Sequence, residues 1–219
     1  MPAHDKGAAV SVTDLPLRHA TSWSHATHHP FLAAVRDGTI PEAAFEAWLV
    51  QDYRFVSDLL VFQARLLARA PRPAQAVLAG GALALVDELA WFEEQAAARR
   101  LDLGTPPMQA TAAYAVLLGR LDDADVAVAL TALWALERVY LDAWSFAAPG
   151  APVYREFVAH WTTPQFAAHV DALEQAADDA VGTALGGSDL DAVFAEVVDA
   201  ESRFWAMAFR DMTWTGQAP

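Results

Sequence analysis

The stretch Trp48–Phe62, WLVQDYRFVSDLLVF, limits the possible folds more than any other part of the chain. Apolar residues recur at Phe45, Trp48, Leu49, Phe55, Val56, Leu59, Leu60 and Phe62 with a helical period. The stripe is wider than a helix resting on one side of a core requires, so this helix is expected at the centre of a helical fold. Gln51 and Asp52 interrupt it. An aspartate in such a setting must be hydrogen-bonded, shifted in pKa or put to use.

The rest of the chain reads as helices too. A first helix is expected from Thr13 through Trp23 and Phe31 to the stop at Asp37-Gly38, and the central one from Pro41 to about Ala70. Pro71 and Pro73 end it, and a third follows over Ala74–Arg100, with Gly80-Gly81 marking close packing or a kink. Its acids Asp87, Glu88, Glu93 and Glu94 read as a solvated face. Further helices are expected over Gln109–Leu121, Val126–Phe146, Tyr154–Trp161 and Pro164–Leu185, and a last one after Gly186-Gly187-Ser188, capped by Ser188 or Asp189. No stretch alternates with a period of two. The expected class is all-α, a compact single-domain bundle of seven or eight helices over residues 13–214, behind a disordered tail at 1–12.

Composition narrows the function. The 219 residues are 55% hydrophobic and 19% charged, which calls for a large interior or an apolar face buried between subunits, so a homodimer or homotetramer is expected. A net charge of -14 disfavours nucleic acid and acidic membrane surfaces as partners. No apolar run is read as a membrane span and the N-terminus has no basic region leading into an apolar segment, so a cytoplasmic protein without a membrane partner is expected. The absence of cysteine removes disulfides, thiolate metal sites and a thiol nucleophile.

Glu137 and Glu201 repeat the anomaly of Asp52, each lying on an apolar helical stripe beside aromatic residues: Trp134 and Tyr140 for one, Phe204 and Trp205 for the other. Stripes face one another in a bundle, so acids on them converge. A ring-lined pocket holding two or three carboxylates suits a flat, nitrogen-rich, weakly basic ligand. A di-iron site would need carboxylates together with histidines, and no Glu-x-x-His motif is present. His25, His28 and His29 have no carboxylate at ligand spacing, and His160 and His169 have no partner at helical spacing, so neither a metal nor a cofactor is expected.

His29-Pro30-Phe31, Asp37-Gly38-Thr39-Ile40-Pro41, Phe45, Val50-Gln51-Asp52-Tyr53 and the closing Glu201-x-x-Phe204-Trp205-x-Met207 resemble the TenA (thiaminase II) family, over most of the chain from His29 to Met207. The resemblance implies a haem-oxygenase-like helical fold. The family's best-known branch uses a cysteine nucleophile. Here the aligned position is Ala132, and the tyrosine expected a turn later is Leu136. Trp134–Tyr140, Glu88–Phe92 and Phe55 instead resemble the cysteine-free, glutamate-type branch, TenA-E.

That resemblance implies hydrolysis of an aminomethylpyrimidine, or of its N-formyl derivative, to the hydroxymethylpyrimidine in the salvage of thiamine breakdown products. Asp52 would hold the pyrimidine ring nitrogen and amino group, and Glu201 would be the general acid/base. Glu137 would be a second catalytic acid near the position of the missing thiol. Tyr53, Phe55, Tyr114, Tyr140 and Trp161 would form the substrate-binding walls. The alternatives are a repurposed fold member, either a metal-dependent oxygenase or a non-catalytic binder of a small aromatic ligand.

Overall fold

Proline and glycine set where the helices end, and the apolar stripes between those ends set how they pack. The structure is a computed structural model that describes residues 11–183 and 190–210. After a 3-10 turn at Val12–Asp14 come α1 (Leu15–Arg18), α2 (Ala20–Thr27), α3 (Pro30–Asp37), α4 (Glu42–Arg69), α5 (Arg72–Arg99), α6 (Gln109–Leu121), α7 (Val126–Ala147), α8 (Arg155–His160), α9 (Pro164–Thr183) and α10 (Leu190–Arg210). The described residues contain no strand, and the fold is all-α.

The expected first helix is cut into three. Proline has no N–H and pushes the preceding residue out of the helical region, and His29 before Pro30 is extended at φ -63 and ψ 147. The break is put to use: His29 Nδ1 accepts the Phe31 N–H at 3.1 Å and so caps α3. Gly38, at φ 71, ends α3 in the left-handed conformation that glycine adopts without strain. Pro41 precedes α4 as its cap rather than occupying its first turn, and Pro73 lies in the first turn of α5.

The most enclosed helix is α7, not α4. Nearly every α7 residue from Ala127 to Trp144 is buried, and the helix packs against α9, α10, α2 and α3. The expected central helix α4 leans on α5, α6, α7 and α10 and leaves Asp58, Val61, Ala64, Arg65 and Ala68 exposed. Trp48 of α4 nonetheless meets Trp144, Trp161 and Trp205 with ring centroids 5.3 to 5.7 Å apart, so large rings join four segments of chain at one point.

Gln51, which interrupts the apolar stripe of α4, has a structural role. Its Nε2 donates to Pro106 O at 3.2 Å, and its Oε1 accepts the Met108 N–H at 2.8 Å and the Thr111 hydroxyl at 2.7 Å. One buried amide thus fixes the loop entering α6 and satisfies a backbone donor at that helix's start. Residues 11 and 12, expected to belong to a disordered tail at 1–12, are instead tied to the bundle. Val12 is fully buried, its N–H donates to Asp178 Oδ1 at 2.7 Å, and Ser11 Oγ donates to Asp178 Oδ2 at 2.9 Å. Residues 1–10, the Gly186–Ser188 loop with its Ser188 or Asp189 cap, and the boundary at 214 lie outside the described residues.

One expectation about composition needs correction. By length and apolarity α5 is sufficient to cross a membrane, although only 22% of its most apolar window is buried. Leu78, Leu83, Leu85, Leu89, Val77 and Val86, spaced by alanines, give it that character. Leu78, Leu85 and Phe92 are its buried contacts with the rest of the bundle.

The two adjacent glycines of α5 differ in kind. A Cβ on Gly81 would lie 2.7 Å from the His169 ring and closer still to Gln63, whose amide donates to Leu78 O at 2.8 Å, whereas a Cβ on Gly80 would meet nothing within 4 Å. Gly81→Ala is therefore expected to destabilise the protein by about 1–3 kcal/mol, since the close approach of α4 and α9 has to open. Gly80→Ala should stabilise it by roughly 0.5–1 kcal/mol through helix propensity. Urea unfolding of the two variants checks both signs.

Candidate functional site

A helix brings positions three, four and seven apart onto one face, and α4 uses that spacing to line a cavity with Asp52, Phe55, Val56 and Leu59. Leu85 and Glu88 of α5, Leu136, Glu137 and Tyr140 of α7, His160 at the end of α8 with Trp161 just beyond it, and Phe166 and His169 of α9 complete the wall of a cavity of about 320 Å³. Its exposed rim is formed by Ala84 and Asp87 on α5 and Gln165 on α9.

Three of the four acids in this region are each held by one aromatic donor. Tyr140 OH donates to Asp52 Oδ2 at 2.8 Å, Tyr114 OH to Glu201 Oε2 at 2.9 Å, and the Trp161 indole N–H to Glu88 Oε1 at 2.7 Å. The other oxygens of Asp52 and Glu201 are buried, and no donor among the described residues reaches them. A buried carboxylate oxygen without a donor is costly to leave empty-handed, and in a cavity it marks where a ligand's N–H groups fit.

No arginine or lysine lines this cavity among the described residues. The cation nearest in sequence, Arg138, pairs with Asp142 at 3.1 Å on the outer side of α7. Burial therefore raises the acids without a compensating charge. Asp52 is held well above the ordinary carboxylate range, first by burial and then by Glu88, against the pull of the Tyr140 hydrogen bond. Burial lifts Glu88 to about 7, opposed by the Trp161 donor. Glu137 rises to about 8 through burial and the charges of Glu88 and Glu201, and Glu201 to about 8 through burial, opposed by Tyr114. Asp52 and Glu137 each feel the charges of both Glu88 and Glu201. Burial lowers His160 and His169, so they stay neutral at the rim. Such a set can bind a cation, or take up and release protons near neutral pH.

Of the residues singled out from sequence, Asp52, Phe55, Glu137, Tyr140 and Trp161 lie on the cavity wall. Glu201 and Tyr114 are buried off that wall, with Tyr114 packed on Phe55 at 4.6 Å. Tyr53 does not line this cavity. One step along a helix turns a side chain by about 100°, and its hydroxyl donates at the surface to Glu93 Oε1 at 3.2 Å. Ala132 is buried away from the cavity, whereas Leu136 is on it, and Tyr140, a turn beyond Leu136, supplies the tyrosine.

Glu88 is the residue missed, having been read as part of a solvated face. It lies on the stripe Leu78, Gly81, Leu85, Glu88, Phe92, between two buried apolar residues, which is the pattern that exposed Glu137 and Glu201. Its acidic neighbours Asp87, Glu93 and Glu94 hid that pattern. Among the described residues no group of three or more His, Asp or Glu side chains has an arrangement suited to a metal ion.

Comparison with known proteins places this geometry in context. The sequence profile of the TENA/THI-4/PQQC family matches residues 18–211. A protein of Glycine max described as a "Probable bifunctional TENA-E protein" is 32% identical over 208 residues, covering 87% of this chain and 90% of its own length. The structure of a TenA homologue from Pyrococcus furiosus superposes with a TM-score of 0.83 at 28% identity, covering 90% of this chain and 98% of that one. A heme oxygenase-like domain from Shewanella denitrificans gives a TM-score of 0.73 at 14% identity over 94% of this chain and 95% of its own, which shows the shared fold.

The raised acids fix a pH dependence of stability. An acid whose pKa is higher folded than unfolded holds a proton that unfolding releases, so its contribution is most favourable below its ordinary value of 4.5 and is lost as pH rises through about 8. The ligand-free protein should therefore melt at a lower temperature at about pH 9 than at about pH 6, and Glu201→Gln should flatten that difference by roughly 1–3 kcal/mol. Thermal melts at both pH values check it.

Proposed function

The chain belongs to the TENA/THI-4/PQQC family, and from that premise we propose that it is a hydrolase of C–N bonds in pyrimidines derived from thiamine breakdown. The substrates would be an aminomethylpyrimidine, hydrolysed to the hydroxymethylpyrimidine and ammonia, or its N-formyl derivative, which first loses formate to give the aminomethylpyrimidine and then reaches the same product. The observation that carries this reading is the buried acid set beside an aromatic wall, with the free oxygens of Asp52 and Glu201 and no cysteine anywhere in the chain.

Asp52 offers Oδ1 to the ring nitrogen and amino group of an aminopyrimidine, while Tyr140 holds Oδ2. Phe55, Tyr140 and Trp161 enclose the flat ring. In the aminohydrolase reaction the methylene C–N bond breaks, water supplies the hydroxyl to the methylene, and the water's proton leaves with the ammonia. Glu201, protonated near neutral pH, is suited to deliver a proton to the departing nitrogen and then, as carboxylate, to take one from water. Glu137, which lines the cavity, would orient that water. Cleavage of thiamine through a covalent adduct on a thiol is closed to a chain without cysteine. The relative from Glycine max carries the name of the same branch, which supports the reading.

Asp52 binds ground state and transition state alike, so Asp52→Ala should raise KM by more than about tenfold, with Asp52→Asn nearly as harmful. Glu201→Gln should lower kcat by at least about a hundredfold while the ligand still binds. Steady-state assays of ammonia and formate release, with and without a chelator, test the scheme. The scheme fails if the Glu201→Gln variant is fully active, if chelation abolishes turnover, or if wild type cleaves thiamine faster than either pyrimidine.

A further inference from the structure

Large aliphatic side chains face water on the outer side of α5, where an acidic protein has no structural need for them. Leu83 is 64% exposed and Val86 49%. Val61 of α4, also exposed, joins them. Gln63 of α4 bonds to Leu78 of α5 and Tyr53 to Glu93, so the two helices run antiparallel and Val61 lies within about a turn of the level of Leu83. Three of the six large apolar side chains exposed among the described residues thus share one patch. On α5 the patch follows a rule. Ala76, Ala79, Leu83, Val86 and Ala90 succeed one another by alternating steps of three and four, and all five are exposed. That spacing is the heptad seam along which one helix packs on another. The inner stripe of α5, with Leu78, Leu85 and Phe92, is already buried in the bundle, so the helix is apolar on a second side as well.

We propose that this face is an interface between two copies of the chain, paired α5 to α5 about a two-fold axis near Leu83. Charge selects both the occupant and the direction. The chain carries a net charge of -14, so two copies repel wherever acids are dense, and an uncharged surface is the least costly place for them to meet. Between Arg72 and Asp87, α5 has no charged residue. The charges at the two ends of the seam are opposite in sign, Arg72 at one end and Glu93 and Glu94 at the other, and all three are exposed. Arg72 and Glu94 each lie eleven residues from Leu83. A two-fold axis there runs the helices antiparallel and sets Arg72 of each copy against Glu94 of the other, so the surface is complementary to itself. Parallel pairing would set like charges together. The alanines of the seam let the helix axes approach toward the lower end of the usual range of about 8–10 Å. Lipid suits the face less well, because Asp87, Glu93 and Glu94 would enter the hydrocarbon with it. Asp87 also belongs to the cavity rim, so a docked copy borders the mouth of the site.

Sedimentation velocity of the full chain at micromolar concentration tests the proposal. Wild type should sediment as a dimer, or a larger even assembly, of the 23.6 kDa chain. Leu83→Glu brings two carboxylates together at the axis and should break that assembly into smaller species, raising the dissociation constant at least about a hundredfold. Val116→Glu, at a position of α6 that is 65% exposed, should leave the mass unchanged. Both variants should keep the helical circular dichroism of wild type, which separates a lost interface from a lost fold. Arg72→Glu should weaken the pairing at least about fivefold, and adding Glu94→Arg should restore it, as only the antiparallel arrangement allows. A monomeric wild type, whether free or floating with phosphatidylcholine vesicles, would overturn the proposal, and so would an assembly that Leu83→Glu leaves intact. A double variant no tighter than Arg72→Glu alone would overturn the two-fold pairing.

Discussion

Burying four carboxylates without a cation among them is the constraint on which the rest of this structure depends. Each ionised acid taken out of water is costly unless donors reach it, and the donors here are neutral phenols and an indole. Those donors come from α6, α7 and the end of α8, while the acids come from α4, α5, α7 and α10. The pairing of Tyr140 with Asp52, Tyr114 with Glu201 and Trp161 with Glu88 therefore fixes which helices meet at the centre. The surrounding rings do the remaining work of keeping water out and the acids close. In this bundle the site is part of the framework, unlike one carried on loops.

The helices were legible in the sequence because their signals are local: a 3.6-residue period, prolines at starts, a glycine at an end. The break at His29 was less so. It depends on a proline whose first-turn position is compatible with a helix and whose effect on its predecessor is not. The innermost helix is α7 rather than α4 because α7 is apolar nearly all round whereas α4 keeps an exposed face, and α9, α10, α2 and α3 all pack on α7.

The acids were legible to the same extent. Asp52, Glu137 and Glu201 betray themselves by sitting among apolar neighbours, and the structure brings them together. Glu88 obeys the same rule, but three nearby acids that do face water diluted its signal. Gln51 and Asp52 make the opposite point. They are adjacent in sequence and equally anomalous, yet the turn of the helix sends one to a loop and the other to a cavity, and sequence position alone does not distinguish those fates. Tyr53 follows from the same geometry, because a residue next to a site residue on a helix generally does not face the site.

The indole that holds Glu88 also stacks on Trp144 at 4.5 Å and meets Trp91 edge-on at 5.3 Å, with Trp48 at 5.5 Å beyond. Electronic excitation moves readily among indoles so closely spaced, and the emission of an indole is sensitive to whether the carboxyl group touching it carries a proton or a charge. The protonation and occupancy of the cavity are therefore written into the protein's own ultraviolet emission. A chain of this design reports on its site without any attached dye, through the same nitrogen that positions the acid.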